Sequence, residues 1–128
     1  MADPGSPKAV VLEFYKLALE ELCPKEAFEK YATADFVEHS ADIAGGTREA
    51  ASAFLEHLIR KFSSPKWEVI RSAAEGPFVF LHVHVTPAPK EPGVAIVEIF
   101  RVQNGKIAEH WDVVQPVPEK PLNSNSMF

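Results

Sequence analysis

The apolar residues of this chain change period once, at Pro65, and that change constrains the fold more than any other feature. Before it they recur every three or four positions. Val10, Val11, Phe14, Leu17, Ala18 and Leu22 make one helical face. Ala50, Ala51, Phe54, Leu55, Leu58, Ile59 and Phe62 make another. Ser6-Pro7 reads as a cap followed by a first-turn proline, and Thr47 caps the later helix with Glu49 in its first turn. Pro24 opens a short helix through Ala27, Phe28 and Tyr31. After Pro65 the pattern alternates residue by residue, as strands do. Three helices followed by an antiparallel sheet predict an α+β fold rather than a parallel α/β one.

Asp35 to His39 reads as short and extended, and Asp42 to Gly46 as a loop. Lys66 to Ala73 alternates weakly. Phe78 to Val85 alternates strongly, with Val79, Leu81, Val83 and Val85 on one face and Phe78, Phe80, His82 and His84 on the other. The closing hairpin joins Val94–Val102 to Ile107–Gln115 through Gln103-Asn-Gly-Lys106. A two-residue Asn-Gly turn pairs Glu98 with Trp111; a three-residue loop with Gly105 as a bulge pairs Glu98 with His110 and Ile96 with Asp112. The polarity pattern favours the second, because it gathers Glu98, His110 and Asp112 on one face. Ala95, Val97, Ile99, Ile107, Trp111 and Val113 then fall mostly on the other.

The 128 residues suit one domain, 1–128, with 1–6 and the Pro/Asn/Ser-rich stretch 117–128 expected to be loosely ordered. A single cysteine, Cys23, excludes an internal disulfide and multi-cysteine metal sites. No run is long and apolar enough for a membrane span, and the first residues do not read as a signal peptide, so a cytoplasmic protein is expected. A formal charge of −5 argues against nucleic acid as a partner.

The run from Ala95 to Gln115, with Phe-Arg-Val, Asn-Gly-Lys and Glu-His-Trp-Asp, resembles the closing hairpin of SnoaL-like proteins. These are relatives of polyketide cyclases in the nuclear-transport-factor-two-like superfamily. Tyr31–Ser40, Gly46–Ala50, Phe80–His84 and the ending Asn-Ser-Met-Phe128 extend the resemblance over about residues 8–128, the ending being like that of a predicted aldol-condensation branch. It implies a cone: a curved, mostly antiparallel sheet wrapped around three N-terminal helices, a cystatin-like α+β barrel with a pocket inside. It also implies homodimers through the outer sheet surface. In the cyclases a carboxylate on the last strand is the acid/base, which falls on Asp112. The second polar position falls on Glu98, where the characterised cyclases have histidine.

The candidate catalytic residues are therefore Asp112, His39 and Glu98, with His82, His84, His110, Phe80 and Phe100 as pocket wall. Burial would raise the Asp112 pKa toward neutrality. His39 is expected to face the cavity, and His82 and His84 to form a hydrogen-bonded wall. The His82-x-His84 pair with His39 and Glu98 could also hold a metal, but the cupin pattern is missing and no metal or cofactor is expected. Trp67 and Trp111 read as packing residues, Tyr15 and Tyr31 as helix-core residues with edge hydroxyls, and His57 as surface. Two functional readings follow. One is a cofactor-independent enzyme performing acid/base chemistry beside a carbonyl, an isomerase or aldol-type cyclase acting on a small hydrophobic or carbonyl-containing substrate. The other is a non-catalytic ligand-binding or dimerisation module of the same fold.

Overall fold

The computed structural model describes residues 5–128; of the expected loose stretch 1–6, residues 1–4 lie outside it. Helix α1 spans Pro7–Tyr15, and the Ser6 hydroxyl accepts the Ala9 N–H at 3.2 Å. It continues as a π-helical turn, Lys16–Glu20, before α2, Pro24–Tyr31. Strand β1 is Ala32–Glu38 and helix α3 Arg48–Lys61, capped by Thr47 accepting from the Ala50 N–H at 3.1 Å. The remaining strands are β2 Lys66–Glu75, β3 Phe78–Thr86, β4 Val94–Gln103 and β5 Lys106–Pro116. Among the described residues, no helix is long and apolar enough to cross a membrane.

The five strands form one curved sheet in the order β1-β5-β4-β3-β2. Only β1 runs parallel to its neighbour; the other pairs are antiparallel. The helices lie on the concave side and the core fills between. Val11, Phe14 and Tyr15 of α1 meet Val79, Leu81 and Val83 of β3, all buried. This is the α+β fold that the change of period predicts, in the cone form that the resemblance implies.

Two local features depart from the sequence reading. The first helix does not carry its apolar face through Leu22. The π turn shifts the face, so Leu19 is buried while Leu22 is 40% exposed at φ 60°. The closing hairpin follows neither expected register. Asn104 and Gly105 both adopt positive φ, and Gln103 pairs with Lys106 as in a two-residue turn. Val102 pairs with Ile107 and Arg101 with Glu109, so Ala108 is an extra residue in a β-bulge. The bulge moves every later pairing on by one: Glu98 faces Asp112, not His110, and Phe100 faces His110. It also turns Ile107, expected on the outer face, into the core.

Candidate active site

The site is a cavity of about 180 Å³ between α1, α3 and the concave face of the sheet. Most of its wall is apolar and aromatic, including Phe14, Phe28, Phe36, Phe62, Trp67 and Phe100. Its polar end is built by alternation on three neighbouring strands. On β1, Phe36 and Glu38 point inward; Glu98 and Phe100 do so on β4, and His110 and Asp112 on β5.

A single chain of hydrogen bonds runs through this end. His110 Nδ1 lies 2.6 Å from Glu38 Oε2, and its Nε2 lies 2.7 Å from Glu98 Oε1. The second Glu98 oxygen accepts the Tyr15 hydroxyl at 2.8 Å. Glu38 Oε2 also accepts the Ser40 N–H at 3.0 Å. Both imidazole nitrogens face carboxylates, so both carry protons and His110 is an imidazolium. Burial alone would lower its pKa; the Glu98 charge and the hydrogen bonds to Glu38 and Glu98 outweigh burial and raise it to about 10. Burial, and then the Glu98 charge, push the Tyr15 hydroxyl well above its ordinary range, so it stays a neutral donor.

Asp112 stands apart from this chain. It is half-buried, and its pKa is raised by burial first and by the Glu98 charge second, partly offset by His110 and a hydrogen bond with the Ser40 side chain. Glu98 spends both oxygens on His110 and Tyr15, while Asp112 keeps a carboxyl group at the cavity wall. Glu98, His110 and Asp112 bring donor atoms within 4.8 Å of one another, a spacing that could hold a metal ion. A metal needs a neutral imidazole with a free lone pair, however, and His110 spends both nitrogens on carboxylates. The cluster as built is an ion-pair chain rather than a ligand set.

Of the expected site residues, the fold brings Asp112, Glu98, His110 and Phe100 together at the cavity. It does not bring His39, His82, His84 or Phe80 there. His39 follows inward-facing Glu38 and so points outward. Its ring stacks on Trp111 at 4.8 Å, and its Nε2 lies 2.7 Å from Glu109 Oε2. Arg101 Nε donates to the same carboxylate at 2.6 Å, and the His39 and Arg101 hydrogen bonds hold the Glu109 pKa below its usual value. On β3 it is Leu81 that pairs with Glu98, while His82 pairs with Val97. The histidine face, Phe80 included, is therefore the outside of the sheet. His82 Nδ1 bonds Arg71 and His84 Nε2 bonds the Pro92 carbonyl. Both rings stack against Phe128, His84 at 3.9 Å, so the stretch 117–128 is held to the sheet at that residue. The metal set of His39, His82, His84 and Glu98 is split between the two faces. His57 is exposed, and Trp67 is buried in the cavity wall.

The sequence reading missed Glu38, Ser40 and Tyr15. For Glu38 a signal was present: Ala32, Phe36 and Glu38 keep one parity along β1, so a carboxylate shares the face of a core phenylalanine. The Tyr15 hydroxyl, expected at an edge, is buried against Glu98, 83 residues away in the chain.

A SnoaL-like domain model matches residues 11–110, most of the chain. The protein belongs to the SnoaL-like family. No curated protein sequence matches this SnoaL-like chain. Solved structures do. An NTF2-like protein of unknown function from Cytophaga hutchinsonii superposes with a TM-score of 0.71 at 19% identity, over 91% of this chain and 96% of that one. IdmH from Streptomyces antibioticus, provisionally described as a polyketide cyclase, gives 0.68 at 18% identity, over 85% and 91%. A SnoaL-like protein from Agrobacterium tumefaciens, provisionally described as an isomerase, gives 0.70 at 10% identity, over 85% and 97%. At these identities the likeness establishes the fold, and the chemistry must be argued from the site.

Proposed function

We propose that this SnoaL-like protein is a cofactor-independent enzyme that moves a proton beside a carbonyl group, as an isomerase or aldol-type cyclase, with Asp112 as the acid/base. One observation carries the reading. Asp112 is a cavity-wall carboxyl with raised proton affinity, beside a second carboxylate already saturated by His110 and Tyr15. A base of raised pKa is strong enough to take a proton and still ionised often enough to act.

The mechanism assigns each group one task. The apolar wall holds the substrate body with its acidic C–H toward Asp112. Asp112 takes the proton from the carbon beside the carbonyl, and the electron pair moves onto the carbonyl oxygen. The His110 imidazolium, fixed between Glu38 and Glu98, supplies a nearby positive charge that favours the enolate. Asp112 then returns the proton, to another carbon for isomerisation or to the new alkoxide after carbon–carbon bond formation. Glu98, Glu38 and Tyr15 are positioning residues: they keep His110 charged and still.

The test is turnover of a panel of ketones, β-keto esters and epoxides by the protein and by Asp112→Asn. Loss of turnover with the fold retained supports the assignment; unchanged turnover on any accepted substrate removes it. A non-catalytic binding module would show ligand binding altered by the same substitution with no turnover to lose.

The same reading includes a homodimer through the outer sheet face. Val97, Val113, Phe78 and Phe80 are exposed there, 64% in the case of Val113, and their burial against a second copy would be favourable at roughly 25 cal/mol per Å². Sedimentation showing a monomer at tens of micromolar would count against it.

A further inference from the structure

The connection between β1 and α3, residues 39–47, folds back on itself. The Glu38 N–H donates to the Gly46 carbonyl at 3.0 Å, and Val37 bridges Thr47. Gly45 and Gly46, at φ 97° and 67°, allow the return. The His39 N–H donates to the His110 carbonyl at 2.9 Å, which carries the contact with β5 one residue past the strand. Ser40 comes next and keeps the inward parity of Phe36 and Glu38. It alone of residues 39–47 is buried, at 5% exposure, and it lines the cavity. Two further bonds hold it: its carbonyl accepts the Ile43 N–H at 3.2 Å, and its hydroxyl oxygen accepts the Asp42 N–H at 3.4 Å.

Ser40 touches two of the acids of the site. Its N–H donates to Glu38 Oε2 at 3.0 Å, and its side chain hydrogen-bonds the Asp112 carboxyl. An ionised carboxylate only accepts, so the hydroxyl proton lies on that bond and a lone pair is left for Asp42. A hydroxyl donates more strongly to a charged acceptor than to a neutral one, so the bond favours the ionised form. The other groups around Asp112 divide. Glu98 on β4 and Glu38 on β1 oppose its charge, and His110 on β5 supports it. Tyr15 on α1 is neutral and spent on Glu98, and Asp42 adds a further carboxyl to the wall. The side chains that α3, β2 and β3 turn to the cavity are apolar or aromatic. We propose that Ser40 is the positioning residue of Asp112: its hydroxyl donates to the Asp112 carboxylate, aims it at the cavity and holds it ionised against Glu98 and Glu38. The inference rests on the reading of Asp112 as the acid/base and adds the group that keeps it ready to accept a proton. No proton leaves Ser40. When Asp112 takes the proton of the substrate, the hydroxyl keeps its own, and the bond weakens to one between neutral groups.

The experiment titrates the Asp112 side-chain carboxyl by its carbon-13 resonance in the full chain, assigned by its loss in Asp112→Asn. It needs no substrate. Ser40→Ala removes the hydroxyl and keeps the N–H that serves Glu38, so the nitrogen-15 shifts of the His110 ring should stay where they are. The Asp112 midpoint should rise by about one pH unit. The acid limb of kcat/KM should rise with it on any accepted substrate of the panel. Ser40→Thr restores a hydroxyl and should bring the midpoint back to within about 0.3 unit of the unsubstituted protein. A midpoint unmoved or lowered in Ser40→Ala overturns the proposal. So does a Ser40→Thr midpoint as high as that of Ser40→Ala while the His110 shifts are unmoved. A merely structural role would lower the melting temperature of Ser40→Ala and leave the Asp112 midpoint in place, which also overturns it. Failure here is distinct from failure of the catalytic reading. A midpoint that rises in Ser40→Ala with turnover indifferent to Asp112→Asn would defeat the acid/base assignment alone. A midpoint that stays put with turnover dependent on Asp112 would defeat this inference alone.

Discussion

Glu98 and Asp112 are direct cross-strand partners in the β4–β5 ladder, two carboxyl groups facing one cavity from adjacent strands. Like charges placed opposite one another destabilise a sheet, so the arrangement is held against a cost. Burial and then the Glu98 charge raise the Asp112 pKa above its unfolded value. Its contribution to stability is therefore full below the unfolded pKa and is lost as pH rises through the folded one. At neutral pH the ionised Asp112 opposes folding. Asp112→Asn should raise the melting temperature at pH 7 and lower turnover by about 10²–10⁴-fold. Thermal melts and rates on one preparation read both effects, and a lowered melting temperature would contradict the electrostatic account.

His110 has the opposite origin but the same direction. Its folded pKa of about 10 lies above the ordinary histidine value of 6.5, so it stabilises fully below pH 6.5 and loses that contribution as pH rises through 10. Melting temperature should fall progressively between those pH values. His110→Gln, which leaves Glu38 and Glu98 without their cation, should cost about 3–5 kcal/mol and abolish that part of the pH dependence. Nitrogen-15 shifts of the imidazole should show both nitrogens protonated at pH 8.

Tyr15→Phe removes the donor to Glu98 Oε2 and keeps the ring in the core. The unsatisfied oxygen should cost about 1–3 kcal/mol in chemical denaturation. Absorbance of the native protein should show no tyrosinate from Tyr15 until the chain unfolds in alkali.

The outer histidines should be separable from the site. His39→Ala and His82→Ala are expected to leave kcat and KM within about two-fold, because both rings lie on the face away from the cavity. Phe128→Ala should move the ring-proton resonances of His84, whose ring it covers at 3.9 Å, and leave those of His110 unchanged.

Gly93 is the glycine with least freedom to change. Its φ is +70°, and a Cβ placed on it would sit 1.9 Å from the Val85 carbonyl oxygen. Gly93→Ala requires the β3–β4 connection to move and should cost about 1–3 kcal/mol or more, read as a lowered denaturation midpoint.

The elements and their order were legible in the sequence because they depend on local chemistry. Ser6 and Thr47 cap helices through N–H groups three residues away. The alternation after Pro65 makes strands wherever they end up pairing. The shared face of Glu98, His110 and Asp112 was legible too, because parity along a strand survives any shift of two residues. The partner assignments were not. The Asn104-Gly105 turn by itself pairs Glu98 with Trp111, and the bulge at Ala108 adds the one residue that turns this into Glu98 opposite Asp112.

What only the tertiary structure decided is which face of each strand looks into the cone. Both faces of β3 alternate cleanly, and nothing local says that Val79, Leu81 and Val83 look inward and His82 and His84 outward. The Leu81–Glu98 pairing settles it, because neighbouring strands must turn their side chains to the same side. The same long-range closure carries Glu38 to His110 across 72 residues and Tyr15 to Glu98 across 83. A sequence records the period of each segment, but the phase of one segment against another is a property of the closed sheet. The charged chain behind Asp112 depends on that phase.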